Sequence, residues 1–334
     1  MGIHDLDPQA FSSFLKSAGI FPLAQNIQTL KGGANNRVYR INFVDRAPLV
    51  LKSYFQHPED PRPRLKAEFE FLSFAWDQGI RQIPEPIYQN FSSNLALYGY
   101  IDAGLANVSH ANQSFVESSV QLLNQLNRNK EKGTHLLDAS EACFQTIHYV
   151  ETVERKLNLL FHTPEETDLE KKFHSFLRKE LIPQWETIKQ EACKTALHTI
   201  NPEEDDLILT PSDLGLHNVL ASSEGKHYFI DFEYAGWDDP AKTICDFFLQ
   251  PKIPIPFSFF PDFSKRVAAL AENPEKTLER TLKMLPICKI KWCCIILNVF
   301  LRIGKNRREF AENDQAHALE KQLHLASECL NKQF

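Results

Sequence analysis

The chain has 334 residues, 43% of them apolar and 24% charged, an ordinary globular composition long enough for two lobes with a cleft between them. A formal net charge of −6, with no basic stripe interleaved with aromatics, argues against nucleic acid as a partner. The longest greasy stretch, Trp292 to Ile303, contains Asn298 and Arg302 and falls short of the roughly 20 residues of a membrane span.

Met1-Gly2-Ile3-His4-Asp5-Leu6 has neither a charged leader region nor an apolar core, and Leu6 stands where a myristoylation signal wants Ser or Thr. The seven cysteines show no Cys-x-x-Cys spacing, and most fall in helical apolar patterns. Free core thiols in a reducing, cytoplasmic setting are expected. A leading helix is predicted over Pro8–Ala18. Lys31-Gly32-Gly33-Ala34-Asn35-Asn36-Arg37 then feeds an alternating strand near 38–43. Backbone N–H groups around Gly32, Gly33 and Asn35 can approach phosphate oxygens there, although the same run also suits an ordinary hairpin. The strand at 48–53 ends its apolar run in Lys52, which needs a partner if buried. The following helix, Pro63 to about Gln78, offers Glu68 and Glu70. Glu68 shares a stripe with Leu65, Leu72 and Ala75, whereas Glu70 shares its face with Lys66, Ser73 and Asp77; Glu68 is the expected partner.

Strands near 84–89 and 95–101 follow, and the remainder is mostly helical. Helices are expected from a Ser109 cap to about Asn129, after Ser140 through Phe144 and Leu160, and over Asp168–Thr195 with a kink or break at Pro183. Residues 251–257 form a loop placed to wall a substrate pocket, and two to four helices finish the chain. No internal repeat or low-complexity tract is present.

Chemistry concentrates between residues 207 and 246. Leu207-Ile208-Leu209 and Tyr228-Phe229-Ile230 read as buried strands, with a turn at Ala221–Lys226 between them. Beyond the first lies Thr210-Pro211-Ser212-Asp213-Leu214-Gly215-Leu216-His217-Asn218; beyond the second lies Asp231-Phe232-Glu233. An acid, an amide five residues on and a second acid after a hairpin form the apparatus of a phosphoryl transferase. Asp213 would accept a hydroxyl proton, while Asn218 and Asp231 would offer oxygens to Mg²⁺. His217 has two readings, substrate contact or loop brace. The twelve histidines show no metal-ligand spacing.

Glycine-rich turn, strand lysine, helix glutamate, Asp-x-x-x-x-Asn and Asp-Phe-Glu, in that order, resemble the aminoglycoside phosphotransferase and choline kinase-like family. The likeness runs from about Leu30 to Phe248 and is most specific over residues 210–246. It implies an α+β, bilobal, protein-kinase-like fold. Residues 1–103 would form a small, mainly antiparallel β-sheet N-lobe with one key helix, and residues 104–334 a larger, mostly helical C-lobe. It also implies ATP and Mg²⁺ as cofactors, with Lys52 on the α- and β-phosphates, and a small hydroxyl-bearing molecule as substrate. The acceptor could be a sugar, an amino sugar or an amino alcohol, and the enzyme a monomer or homodimer without a membrane partner. By the same likeness, Tyr98, Gly99 and Tyr100 correspond to the inter-lobe hinge that meets the adenine edge; an edge strand with a glycine is the equal reading.

The chain departs from the family at Pro211-Ser212-Asp213, where the family commonly has His-Gly-Asp, and this places it in a subgroup. Pro211 must leave the usual histidine's support to other groups. Ser212 brings a hydroxyl near the expected acceptor site, and Glu233 replaces a protein-kinase glycine, so no flipping switch loop is expected. Glu203-Glu204-Asp205-Asp206 and Asp238-Asp239 could favour a cationic acceptor, though a solvated turn is the commoner reading of the first run. Two other functions compete. A protein or peptide kinase is weakened because Asp246 follows Phe232 by only 14 residues. A nucleotide-binding pseudokinase is suggested by Pro211-Ser212 and opposed by retention of the lysine and both metal ligands.

Overall fold

The computed structural model describes residues 8–21, 25–30, 36–194, 200–302 and 318–332. Alternation of side chains along strands sets the first layer. Strands β1 (Asn26–Leu30), β2 (Arg37–Asn42), β3 (Leu49–Ser53), β4 (Pro86–Asn90) and β5 (Leu95–Gly99) form one antiparallel sheet in the order β1-β2-β3-β5-β4. Leu49 and Leu51 join Tyr39, Ile41, Leu95 and Leu97 in an outer cluster with Phe11, Phe14 and Leu15 of α1 (Pro8–Ser17). Val50 and Lys52 therefore take the other face, towards α2 (Arg64–Asp77) and the cleft.

Helix α2 buries Leu65, Glu68, Leu72 and Ala75 on one stripe, while Glu70 remains outside it beside Lys66. It ends because Gly79 takes a φ of +82°, letting Ile80 N–H reach Ala75 C=O at 3.1 Å.

The other lobe is mainly helical. Helix α3 (Gln113–Asn127) is capped by Asn112, whose side chain accepts from Ser114 and Phe115 N–H. The expected cap, Ser109, instead lies in a short 3₁₀ turn at Val108–His110. Helix α4 (Thr146–Phe161) starts later than Ser140 because Thr146 N–H and Oγ1 are engaged by Asn201 Oδ1. Helices α5 (Asp168–Phe176) and α6 (Ile182–Lys194) are joined without a break by a π-helical turn at Leu177–Leu181. That widened turn directly precedes Pro183 and accommodates the ring and missing donor that were expected to interrupt the run.

The strands beyond α6 pair differently from the sequence pattern. Strand β7 (Ile208–Thr210) pairs with β10 (Gly236–Asp238), not with the 228–230 run. The hairpin is β8 (Val219–Ala221) with β9 (His227–Phe229), turning through Gly225, and β6 (Gly104–Leu105) extends it. Strand β8 was hidden because Val219-Leu220-Ala221 is too short to display a period. Helix α7 (Pro240–Leu249) is buried along its whole length, and α8 (Phe260–Ala268), α9 (Pro274–Leu297) and α10 (Ala318–Asn331) follow. Aromatic stacking joins these layers, as between Phe247 and Phe263 at 4.1 Å. Helix α9 carries Pro286 inside it, a feature not anticipated from the pattern. Cys143, Cys245, Cys288, Cys293, Cys294 and Cys329 are buried and free; the Cys193 side chain lies outside the described set. No helix among the described residues is long and apolar enough to cross a membrane.

Asp239 closes the start of α7 by accepting from Ala241 N–H at 2.9 Å. Arg280 of α9 reaches it through Nε and Nη2, each at 2.8 Å, and both side chains are fully buried. Removing one member of such a pair strands the other charge in the core. Replacement Arg280→Met should cost about 3–5 kcal/mol in urea unfolding; a loss below about 1 kcal/mol would show that the pair does not hold α9 to α7.

Candidate active site

Lys52 on β3 is the node of the cleft. Its Nζ lies 2.5 Å from Glu68 Oε2 on α2 and 2.5 Å from Asp231 Oδ1, just beyond β9. Burial would lower the ammonium's pKa, but Asp231, Glu68 and Glu233 more than offset it and hold it well above the ordinary lysine value. Lys52 is thus a fixed cation. Glu68 is saturated: Oε2 also accepts from Tyr54 OH at 2.8 Å, and Oε1 accepts from Phe232 N–H at 3.2 Å. Tyr54 OH in turn lies 2.6 Å from Tyr98 OH. Burial, then the charge of Glu68, pushes both phenols well above their usual range, so they stay neutral.

Asp231 adopts a left-handed φ of +67°. Its neighbours hold it there: Ile230 N–H donates to Asn218 C=O at 2.9 Å and Phe232 N–H to Glu68. Glu233 is buried, accepts from Asn36 Nδ2 at 2.5 Å and lies 3.5 Å from Arg64 Nε. Asn36 also accepts from Phe55 N–H, so the glutamate ties the loop after Asp231 to the start of β2.

The loop after β7 presents Asp213. Asn218 Nδ2 donates to both Asp213 C=O and Oδ2 at 3.1 Å, and His217 Nε2 lies 3.3 Å from Oδ2. Burial would raise the pKa of this carboxyl; His217, Asn218 and the charge of Lys252 together hold it below the ordinary aspartate value. The His217 ring packs against Gly215, where an added Cβ would lie 2.5 Å from Nδ1. His217 therefore braces the loop and also lines the cleft. Ser212 does not face the acceptor side: its hydroxyl is buried and accepts from Lys242 Nζ at 3.1 Å.

A cavity of about 280 Å³ joins these groups. Val38, Val50, Leu220 and Ile230 supply apolar walls, Tyr98, Gly99, Tyr100 and Ile101 form one side, and Lys52, Glu68, Asn218 and Asp231 line the charged end. The Tyr98 ring is buried, while Arg40 sits 4.1 Å over the Tyr100 ring. Gly32, Gly33 and Asn35 lie outside the described residues. Asn218 uses its N–H donors on Asp213, which leaves its carbonyl oxygen for a cation beside the Asp231 carboxylate. This hard-oxygen pair suits Mg²⁺ completed by phosphates and water. Asp238 and Asp239 do not favour a cationic acceptor, because both are fully buried on Lys242 and Arg280. Asp206 likewise points inward, accepting from Asn273 N–H at 2.8 Å, and Glu203 pairs with Lys276 at the surface. The sequence reading missed Tyr54, Arg64 and Lys242; buried polar residues beside an apolar run were the available signal.

The profile of the phosphotransferase enzyme family matches residues 26–248, more than half of the chain. Nothing among curated protein sequences matches. Among solved structures, a spectinomycin phosphotransferase in complex with ADP and spectinomycin is similar with a TM-score of 0.59, 15% identity, and 97% and 99% of the two chains covered. A choline/ethanolamine kinase family protein from Mesorhizobium loti gives 0.60 at 12% identity, covering 97% of this chain and 94% of its own. The choline kinase LicA from Streptococcus pneumoniae gives 0.57 at 14% identity, covering 96% and 98%. The chain belongs to the phosphotransferase enzyme family and has the protein-kinase-like fold of these structures.

The Tyr54–Glu68 contact is testable apart from turnover. Tyr54→Phe removes one donor to a buried carboxylate and should lower unfolding stability by about 1–3 kcal/mol. An unchanged urea midpoint would remove the phenol from the support of Glu68.

Proposed function

We propose that this phosphotransferase moves the γ-phosphate of ATP, with Mg²⁺, onto a hydroxyl of a small sugar, amino sugar or amino alcohol. One observation carries the reading: a buried lysine bridges a helix glutamate and Asp231 at the charged end of the cleft, while Asp213 is held separately by Asn218. Positive charge for phosphates and a carboxylate for the acceptor proton are thereby kept apart. The apolar walls suit a nucleoside base, and the hinge backbone from Tyr98 to Ile101 borders the same space.

Lys52 binds the α- and β-phosphates and Glu68 orients it. Asp231 and Asn218 would hold Mg²⁺, which supplies charge neutralisation on the phosphate oxygens. Asp213, kept ionised, accepts the proton of the acceptor hydroxyl as its oxygen bonds to the γ-phosphorus and the bridging bond to ADP breaks. Beyond Glu233 the chain enters β10 at Gly236 and α7 at Pro240, leaving no extended segment on which a peptide would lie. The ligands named for similar structures, spectinomycin among them, agree with a small acceptor.

A screen of hydroxylated metabolites for stimulated ADP release tests the reading and identifies the acceptor. In that assay Asp213→Asn should lower turnover by about 10²–10⁴-fold while nucleotide affinity changes little. Turnover equal to the parent enzyme would remove Asp213 from the role of base. Calorimetry supplies a second test. Asp231→Ala should abolish the gain in nucleotide affinity on adding Mg²⁺, and retention of that gain would place the metal elsewhere.

A further inference from the structure

Residue 212 stands in a conformation that suits glycine better than serine. Ser212 has a φ of +63°, and Asp213 N–H closes a three-residue turn onto Pro211 C=O at 2.8 Å. In this region the Cβ of an L-residue crowds the following carbonyl, so the backbone stays there only if its surroundings hold it. Asp213 is the next residue, and any relaxation of the turn would re-aim its carboxylate.

Two successive residues of α7 grip the turn. Lys242 Nζ donates to Ser212 Oγ at 3.1 Å. Thr243 Oγ1 donates to Thr210 Oγ1 at 3.3 Å, and Thr210 Oγ1 accepts from Ser212 N–H at 3.2 Å. Side chain and backbone of residue 212 are thus both fixed to one helix. The Lys242 ammonium has three donors and three buried acceptors: Ser212 Oγ, Asp238 Oδ2 at 2.6 Å and Asp246 Oδ2 at 3.4 Å. Asp246 does not depend on it, since Lys291 lies 2.6 Å from Oδ1 and Trp292 Nε1 donates at 2.7 Å. Lys242 is therefore the buried counter-charge of Asp238, and its remaining donor is directed to Ser212 Oγ.

We propose that Lys242 is a positioning residue for phosphoryl transfer. It acts through Ser212 to lock the left-handed turn that aims Asp213. Its effect on rate rests on the function proposed above; its effect on the loop does not.

The experiment uses full-length Ser212→Ala, Ser212→Gly, Lys242→Met and the double variant Lys242→Met with Ser212→Gly. Single-turnover ADP release from ATP and Mg²⁺, Mg·ADP affinity by calorimetry and urea unfolding are measured for each. Ser212→Ala keeps the crowding and loses the strut, so ADP release should slow about ten-fold with Mg·ADP affinity moved less than about two-fold. Glycine takes the left-handed turn without a strut. Ser212→Gly should therefore release ADP faster than Ser212→Ala, and the double variant faster than Lys242→Met. Glycine no faster than alanine overturns the proposal, as does a double variant no faster than Lys242→Met. If Lys242→Met does not fold, because Asp238 loses its buried partner, the two Ser212 variants decide alone. If the parent enzyme releases no ADP with ATP and Mg²⁺ alone or with any hydroxylated metabolite of the screen, the functional reading falls and unfolding decides the strut. A urea midpoint for Ser212→Ala below the parent supports it, and an equal midpoint overturns it.

Discussion

A lysine without water must be surrounded by its own counter-charges, and that requirement organises the cleft. Lys52 lies on the inward face of β3 because the outward positions, Leu49 and Leu51, are taken by the cluster with α1. Once there, its ammonium can be kept only by carboxylates brought from elsewhere. Glu68 comes from α2 and Asp231 from the C-lobe, so one buried cation fixes a strand, a helix and a loop together. The cost of desolvation is offset by saturating every group: Glu68 serves Lys52, Tyr54 and the backbone of Phe232 at once. An ion pair this enclosed contributes more to geometry than to net stability.

The same logic recurs where the backbone is strained. Asp231 and Ser212 both take positive φ, at +67° and +63°, and each lies at or beside a proposed working side chain. Neither is glycine, so neither conformation is free. At Asp231 the hold is on the backbone, through N–H bonds on both sides to Asn218 and Glu68. At Ser212 it passes through the side chain to α7. That helix is itself fixed by Asp239 and Arg280, so rigidity reaches the loop from the core of the C-lobe. Pro211 carries no side-chain donor or acceptor, and the turn is supported by residues 242 and 243.

Much of this was legible because it depends on local periodicity. The stripe Leu65, Glu68, Leu72 and Ala75 separated the buried glutamate from Glu70 without a structure. Apolar runs followed by Asp213 and Asp231 marked loops at strand ends. What stayed hidden was long-range pairing. Nothing local tells that Ile208–Thr210 pairs with Gly236–Asp238 rather than with the nearer 227–229 strand. The reason becomes visible at Gly236, where a Cβ would meet Leu137 C=O at 2.2 Å: the segment before α4 passes too close for any side chain. Pro183 misled for a different reason, since sequence shows the missing donor but not the π turn that absorbs it. The acidic run Asp238-Asp239 misled because its counter-ions, Lys242 and Arg280, stand 4 and 41 residues away.

The cleft and the loop after α7 are built from separate parts of the chain. The cavity walls come from the β-sheet lobe, the hinge and the β8–β9 hairpin. The loop proposed to wall the acceptor follows α7 and meets the loop that carries Asp213 at Gln250. Its side chain accepts from Lys252 and Ile253 N–H, donates to Ile253 C=O, and packs beside Gly215. Gln250 is buried, whereas Lys252 and Pro254 are exposed. Changes at the exposed positions leave the backbone anchor in place. Gln250 and His217 both pack against Gly215, where a Cβ would meet Gln250 Cγ at 3.3 Å and His217 Nδ1 at 2.5 Å. Sequence variation at the tip of this loop can thus accumulate without altering the ion pairs that hold the cleft.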